Sequence, residues 1–234
     1  MPAPLRLALL AAFAGHLLVH SLQPSPLARA IDLPAPPPLA MMRLAALGDA
    51  LPLAQLSTLY LQAFDNQPGV SVPFADLDYG RLRDWLSLLL ALDPIGQYPL
   101  LLASHVYAQV PIEARQRSML DFVRQSFDAD PDRRWRWLAH AAILARHRLQ
   151  DTDLAIAYAR AISELATGPS VPGWARQMSV LLLADRGEVE AAKVLLGGLL
   201  ASGAVSDPQE IRFLLERLAG SAPLPKPAQG SDAR

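Results

Sequence analysis

Cysteine is absent from this chain of 234 residues, which excludes a disulfide framework, thiolate metal sites and a cysteine nucleophile. An excess of charge of either sign is absent too, because 21 lysines and arginines stand against 22 aspartates and glutamates. Nucleic-acid binders need a basic footprint, so nucleic acid is not an expected partner. Apolar residues make up 52% of the chain and charged residues only 18%, which indicates apolar content beyond that of a single core.

Motifs for catalysis are lacking as well. The chain has neither a Gly-x-Ser-x-Gly elbow nor a glycine-rich phosphate loop. Ser104 and His105 are sequence neighbours, and neighbours on a regular helix do not face each other. His140 and His147 are two helical turns apart, ~10.5 Å along the axis, which is too far for one zinc ion. We therefore expect no metal, no cofactor and no enzymatic activity.

One long apolar run is present, near the N-terminus. Residues 7–22 carry no acid or base and follow the single charge of Arg6. A helix from Leu5 to Leu22 would be ~27 Å long, just enough to cross a hydrocarbon core of ~30 Å. We predict a membrane anchor or signal segment over residues 1–22, with the rest of the chain exported. The alternative is a signal peptide that is cleaved near residues 28–30.

Proline is concentrated on both sides of the central part of the chain. Residues 23–40 contain six prolines, which predicts an extended, semi-rigid linker. Residues 220–234 combine prolines with small and polar residues, which predicts a disordered tail. Residues 41–219 are then the expected folded domain.

Within that domain, Pro94, Pro131, Pro169 and Pro208 recur at spacings of 37, 38 and 39 residues. Each ends one segment with apolar residues at helical spacing and begins another, and no stretch of comparable length alternates like a strand. A period in this range is typical of stacked helical hairpins. We therefore predict an all-α fold built as a right-handed α-α superhelical stack.

The pattern over residues 80–219 resembles the tetratricopeptide repeat. Its second-helix positions are occupied by Gly187, Ala192 and Leu196 in one repeat and by Asp151, Ala155, Ala159 and Ile162 in another. The first-helix positions are mostly missing, so the repeats are degenerate. The order of anchor, proline linker and repeats also resembles uncharacterised membrane-anchored repeat proteins of proteobacteria. The resemblance implies a concave surface, lined by the first helix of each hairpin, that binds a protein or peptide.

The candidate contact surface is a cationic and aromatic helix face formed by Arg133, Trp137, His140 and His147. Such a face suits a peptide carboxylate, an acidic segment or an anionic glycan. We expect three further residues to extend it where their helices present them on the same side: Tyr98, Trp174 and Arg176. The alternative is a packing face between helices whose arginines are solvated or paired with acids.

These features together predict a protein-interaction or scaffolding module of the bacterial cell envelope. It would be a single-pass protein of the inner membrane with a periplasmic C-terminal domain, or soluble in the periplasm if the signal is cleaved. The alternative function is a helical small-molecule-binding protein or an enzyme with a helix-lined pocket, for which the loop at residues 64–80 would be the lid.

Overall fold

The computed structural model describes residues 3–22 and 30–220, and almost all of the regular structure within them is helical. The helices are α1 (Ala3–Leu22), α2 (Leu39–Ala45), α3 (Leu51–Ala63), α4 (Tyr79–Leu92), α5 (Tyr98–Leu101), α6 (Glu113–Phe127), α7 (Pro131–His147), α8 (Thr152–Leu165), α9 (Gly173–Asp185), α10 (Val189–Ala201) and α11 (Pro208–Gly220). Two short strands, Asn66–Gln67 and Val70–Ser71, pair antiparallel between α3 and α4. The all-α prediction is confirmed. Residues 23–29 of the predicted linker and residues 221–234 of the predicted tail lie outside the described residues.

The recurring prolines lie at helix boundaries. Pro131 and Pro208 are the first residues of α7 and α11, whereas Pro94 and Pro169 lie in the connections before α5 and α9. A proline fits the first turn because its fixed φ suits a helix and its missing N–H would have had no partner there. Elsewhere an acid begins the helix, as where the carboxylate of Asp151 accepts a hydrogen bond from a backbone N–H of α8.

The core runs through the body of the protein along α4 and α6 to α9. It includes large, fully buried side chains such as Tyr107, Phe127 and Leu138. Between α7 and α8 the buried residues are mostly alanines, among them Ala145 and Ala155, so the two helix backbones approach closely. Each helix packs against the next one along the chain from α6 to α11, and α7 also contacts α9.

The described part of the proline-rich linker is bound to the folded body. Leu33 is only 2% exposed. Its carbonyl accepts a hydrogen bond of 2.6 Å from Arg81 Nη1, and the next carbonyl, that of Pro34, accepts one of 2.8 Å from Trp85 Nε1. The side-chain amide of Gln67 bonds both the N–H and the C=O of Ile31 at 2.8 Å. Residues 30–38, which we call the strap, therefore lie against the folded body, a contact that the proline content did not predict.

Across residues 3–22 and 30–220, no helix is long and apolar enough to cross a membrane. The large apolar side chains described on α1, such as Leu10, Phe13 and Leu18, are exposed. The membrane anchor or signal segment over residues 1–22 stays a prediction.

Candidate functional site

The segment after α5 departs from regular α-helix. It continues as a π-helical turn, Leu102–Val106, and a 3-10 turn, Tyr107–Gln109. A π turn holds an extra residue, so its side chains leave their α-helical directions, and such turns are frequent at functional sites. Here Ser104 Oγ lies 2.9 Å from His105 Nδ1. Our expectation that these two neighbours do not face each other is therefore wrong.

The hydroxyl of Ser104 is buried, and its proton is already used in a hydrogen bond. It donates to the carbonyl oxygen of Leu100 at 2.8 Å, so it accepts the proton of His105 Nδ1. This arrangement leaves Nε2 of His105 as an acceptor. A serine nucleophile must reach its substrate, and Ser104 has no exposed surface. The pair orients the imidazole of His105 rather than activating the serine.

The ring of His105 meets α7 at two residues that the sequence had singled out. It stacks on His140 with 3.8 Å between ring centroids and 14° between planes. It also meets Trp137 edge-on, at 5.7 Å and 87°. The indole N–H of Trp137 donates to the side-chain oxygen of Gln97. We call Gln97, His105, Trp137 and His140 the imidazole cluster.

Electrostatics favour the neutral form of His140. Burial lowers the pKa of His140, and a positive charge on His105 lowers it further. Nε2 of His140 has no hydrogen-bond partner among the described residues. The lone pairs of the ring nitrogens lie in two nearly parallel planes, so they do not converge on one metal ion. In the described part of the chain, no group of three or more His, Cys, Asp or Glu residues could hold a metal ion.

Arg134, next to the predicted Arg133, is a structural residue. It is 5% exposed, and its guanidinium donates to the carbonyl of Ser126 and, at 2.9 Å, to that of Pro94. These bonds join the start of α7 to the end of α6 and to the turn after α4. Arg133 itself is exposed and pairs with Asp130 at 2.5 Å, at the start of its own helix.

The remaining predicted residues lie at several places. His147 is exposed beside a small groove of about 150 Å3 between α7 and α9. Trp174 is exposed and packs edge-on against Trp135, with 5.3 Å between ring centroids. Arg176 is half-buried and donates to the carbonyl of Val171.

Tyr98 belongs to a larger groove between α3, α4 and α5. Its hydroxyl accepts a hydrogen bond of 2.7 Å from Gln62 Nε2. The groove has a volume of about 530 Å3, is open to solvent, and has Gln55, Thr58, Gln62, Asp93 and Tyr98 as its polar lining. We call it the α3–α5 groove. It adjoins the imidazole cluster in sequence, because Gln97 directly precedes Tyr98.

Two residues of the imidazole cluster, Gln97 and His105, were missed by sequence reasoning. A signal for them existed. Gln97 lies 40 residues before Trp137, and His105 lies 35 residues before His140. These separations are within a few residues of the spacing of the recurring prolines, so a search for polar and aromatic residues about one period apart would have included both pairs.

No protein-family model matches this chain, and no curated protein or solved structure is significantly similar to it.

Proposed function

We propose that this protein is an interaction or scaffolding module of the bacterial cell envelope that binds a protein or peptide. Its helical hairpins would stack into a right-handed superhelix of degenerate tetratricopeptide-like repeats. The first-helix face, made by residues 98–109, α7 and α9, would bind the ligand.

Two features of the fold support the stacked arrangement. First, alternate helices touch: α7 contacts the π-helical turn and α9, and α9 contacts α11. Second, side-chain hydrogen bonds between helices have similar sequence separations, such as 40 for Trp137 to Gln97, 39 for Arg146 to Asp185 and 33 for Gln177 to Glu210. A stack in which each repeat touches only its neighbours produces contacts at about one repeat length.

The observation that carries the proposal is the chemistry of the face formed by these alternate helices. It combines aromatic rings, imidazoles and side-chain amides with little net charge, because Arg133 is already paired with Asp130. Amides donate and accept hydrogen bonds, as an extended peptide backbone requires. Tyr98 and Trp174, at other points of the same elements, offer exposed rings for apolar side chains along the peptide. We therefore favour a neutral, extended peptide segment over an acidic one.

The location in the cell is proposed from the sequence of residues 1–22 alone. An apolar helix there would attach the protein to the inner membrane, with the helical body in the periplasm. If the segment were cleaved, the body would be a soluble periplasmic protein with the same binding face.

Photo-crosslinking in intact cells tests the binding face. A photoreactive residue replaces His105 or Tyr98, both exposed, and the matched control replaces Arg160, which is exposed on α8. We expect discrete crosslinked products from the first two positions and none of these from the third. Equal products from Arg160, or products from Arg160 alone, would show that the ligand binds elsewhere.

A second test separates binding from stability. Tyr98→Ala and Trp174→Ala remove exposed rings, so the double variant should unfold close to the wild-type temperature. It should lose most of the crosslinked product at His105. If the product persists at the wild-type level, exposed rings on this face do not bind the ligand.

The α3–α5 groove supports a second candidate function. Its volume of about 530 Å3 is within the range of small-molecule sites, and five polar side chains line it. Thr58→Trp would fill the groove. A small molecule that raises the unfolding temperature of the wild type but not of Thr58→Trp would identify the groove as its site.

A further inference from the structure

The turn between α2 and α3 contains a leucine whose backbone conformation and exposure to solvent are both unfavourable. Leu47 has a φ of 50° and a residue exposure of 93%. A side chain with a Cβ is strained in this left-handed region, which glycine or asparagine usually occupies. Exposure of a leucine to water is unfavourable as well. Both costs fall on one residue at the tip of a turn, and no contact within the described body offsets them.

The neighbouring residues extend this exposed apolar surface. They are between 48% and 77% exposed and comprise Met41, Leu44, Leu51, Leu56 and Leu59. Helix α3 buries Leu61 together with the small residues Ala54 and Ser57, whereas three of its five leucines, Leu51, Leu56 and Leu59, face outward. We call the six exposed residues, including Leu47, the apolar corner. Large apolar side chains exposed in such number within one short segment indicate an interaction site.

Charge on the apolar corner is low. Residues 39–63 contain two charged residues, Arg43 and Asp49. The Asp49 carboxylate accepts a hydrogen bond from the backbone N–H of Leu51 at 3.1 Å, at the start of α3. Arg43 is exposed in the last turn of α2. A leucine-rich surface with an exposed arginine suits the boundary between acyl chains and anionic headgroups.

The length of the chain between α1 and the strap brings the body close to any membrane that holds α1. Residue 30 lies eight peptide steps after Leu22, and eight steps span at most ~29 Å. Because the strap is bound to α4, the remaining linker cannot add to this distance. Some face of the body must then lie near the bilayer surface.

We infer that the apolar corner inserts into the interfacial region of a lipid bilayer, with Leu47 at its tip. This inference rests on the proposed membrane attachment. The corner consists of leucine and methionine side chains on α2, α3 and the turn between them, a composition that suits a lipid surface. Protein-binding hot spots, by contrast, are rich in Trp, Tyr and Arg and lie in well-packed pockets. Together with α1, it would give the body two points of contact with the membrane and so a fixed orientation.

The absence of cysteine makes a direct test possible. Leu47→Cys in the full chain is labelled with an environment-sensitive fluorophore and reconstituted in vesicles of three parts phosphatidylethanolamine to one part phosphatidylglycerol. We expect emission at shorter wavelength and quenching by lipids that carry a nitroxide on the acyl chain. The matched control is Val194→Cys, on an exposed apolar residue of α10, which should keep its aqueous emission. A third label, at Phe13→Cys, reports on α1.

The three labels separate the possible outcomes. Lipid quenching at Phe13 with aqueous emission at Leu47 would overturn the inference and leave the proposed attachment intact. Quenching at Leu47 with aqueous emission at Phe13 would support the corner and refute the anchor. A blue shift at Leu47 that follows protein concentration but not lipid quencher would assign the corner to a second copy of the chain, which also overturns the inference.

A fluorophore attached at residue 47 could itself drive insertion into the bilayer, so a second experiment places the label at a different residue. The label at Leu44→Cys should be quenched by lipid in the otherwise wild-type chain. Adding Leu47→Asp should abolish that quenching, because a carboxylate at the tip opposes entry into the bilayer. If Leu44 remains quenched to the same extent in the Leu47→Asp chain, Leu47 is not the inserting tip.

Discussion

Truncation of Leu33 to alanine tests whether the strap belongs to the folded body. The Leu33 side chain is almost fully buried, although it lies in a segment whose proline content predicts an extended, semi-rigid linker. If the strap is part of the body, Leu33→Ala removes core packing and reduces the free energy of unfolding. If the strap only passes over the surface, the same change has little effect.

The size of the effect follows from the burial. Leucine-to-alanine changes in cores cost about 2–5 kcal/mol. Leu33 lies at the edge of the core and its backbone carbonyl still accepts from Arg81, so we expect the lower half of this range, about 3 kcal/mol. For a body of this size, that corresponds to a fall of about 6–12 °C in Tm.

Thermal and urea unfolding, followed by circular dichroism, measure the loss. The matched control is Ile31→Ala, two residues earlier in the strap, where the side chain is 69% exposed and the change should stay within about 0.5 kcal/mol. Limited proteolysis adds a local readout, because a released strap should be cut faster in Leu33→Ala. Equal Tm values and equal cleavage rates for the two variants would refute the packed strap.

Two further predictions concern α7. Arg134→Ala should lower the free energy of unfolding in urea by about 3 kcal/mol, because two carbonyls lose a buried charged donor. The control, Arg136→Ala at an exposed position, should lower it by less than about 0.5 kcal/mol. Equal losses in the two variants would contradict this role of Arg134. The second concerns acid: the folded-state pKa of His140 lies below its ordinary value of 6.5, so the unfolded chain takes up the proton first as pH falls. The contribution of His140 to stability is therefore complete above about pH 6.5 and declines below it. His140→Phe should lose less stability than wild type between about pH 7.5 and about pH 5.5. A decline for His140→Phe as steep as that of wild type would contradict the assignment.

The helical part of the fold was largely accessible from the sequence because local signals agree there. The recurring prolines, the acids at helix starts and the apolar residues at helical spacing all mark the same boundaries. Pro131 and Pro208 begin helices as expected. The right-handed superhelical arrangement of the hairpins stays a prediction, since it depends on the angle between neighbouring hairpins, which no local pattern specifies.

The strap shows where composition misleads. Six prolines in residues 23–40 favour an extended backbone, and that property does not determine whether the backbone is free or bound. An extended segment leaves its carbonyls unpaired, so they are available to donors such as Trp85 Nε1 and Arg81 Nη1. The leucine among the prolines, Leu33, was the one sequence feature that pointed to packing. The partners that bind this part of the strap, Arg81 and Trp85, lie about 50 positions away in α4.

The candidate site was found only in part for a different physical reason. Helical periodicity correctly placed Trp137 and His140 on one face of α7, because α7 is a regular helix. The same rule failed for Ser104 and His105, because the π-helical turn changes the direction of their side chains. The π-helical turn brings the ring of His105 over His140. The irregular geometry that the sequence did not reveal is therefore also the geometry that forms the imidazole cluster. Restoring a regular helix at this turn should therefore separate the two rings even if every residue of the cluster is kept.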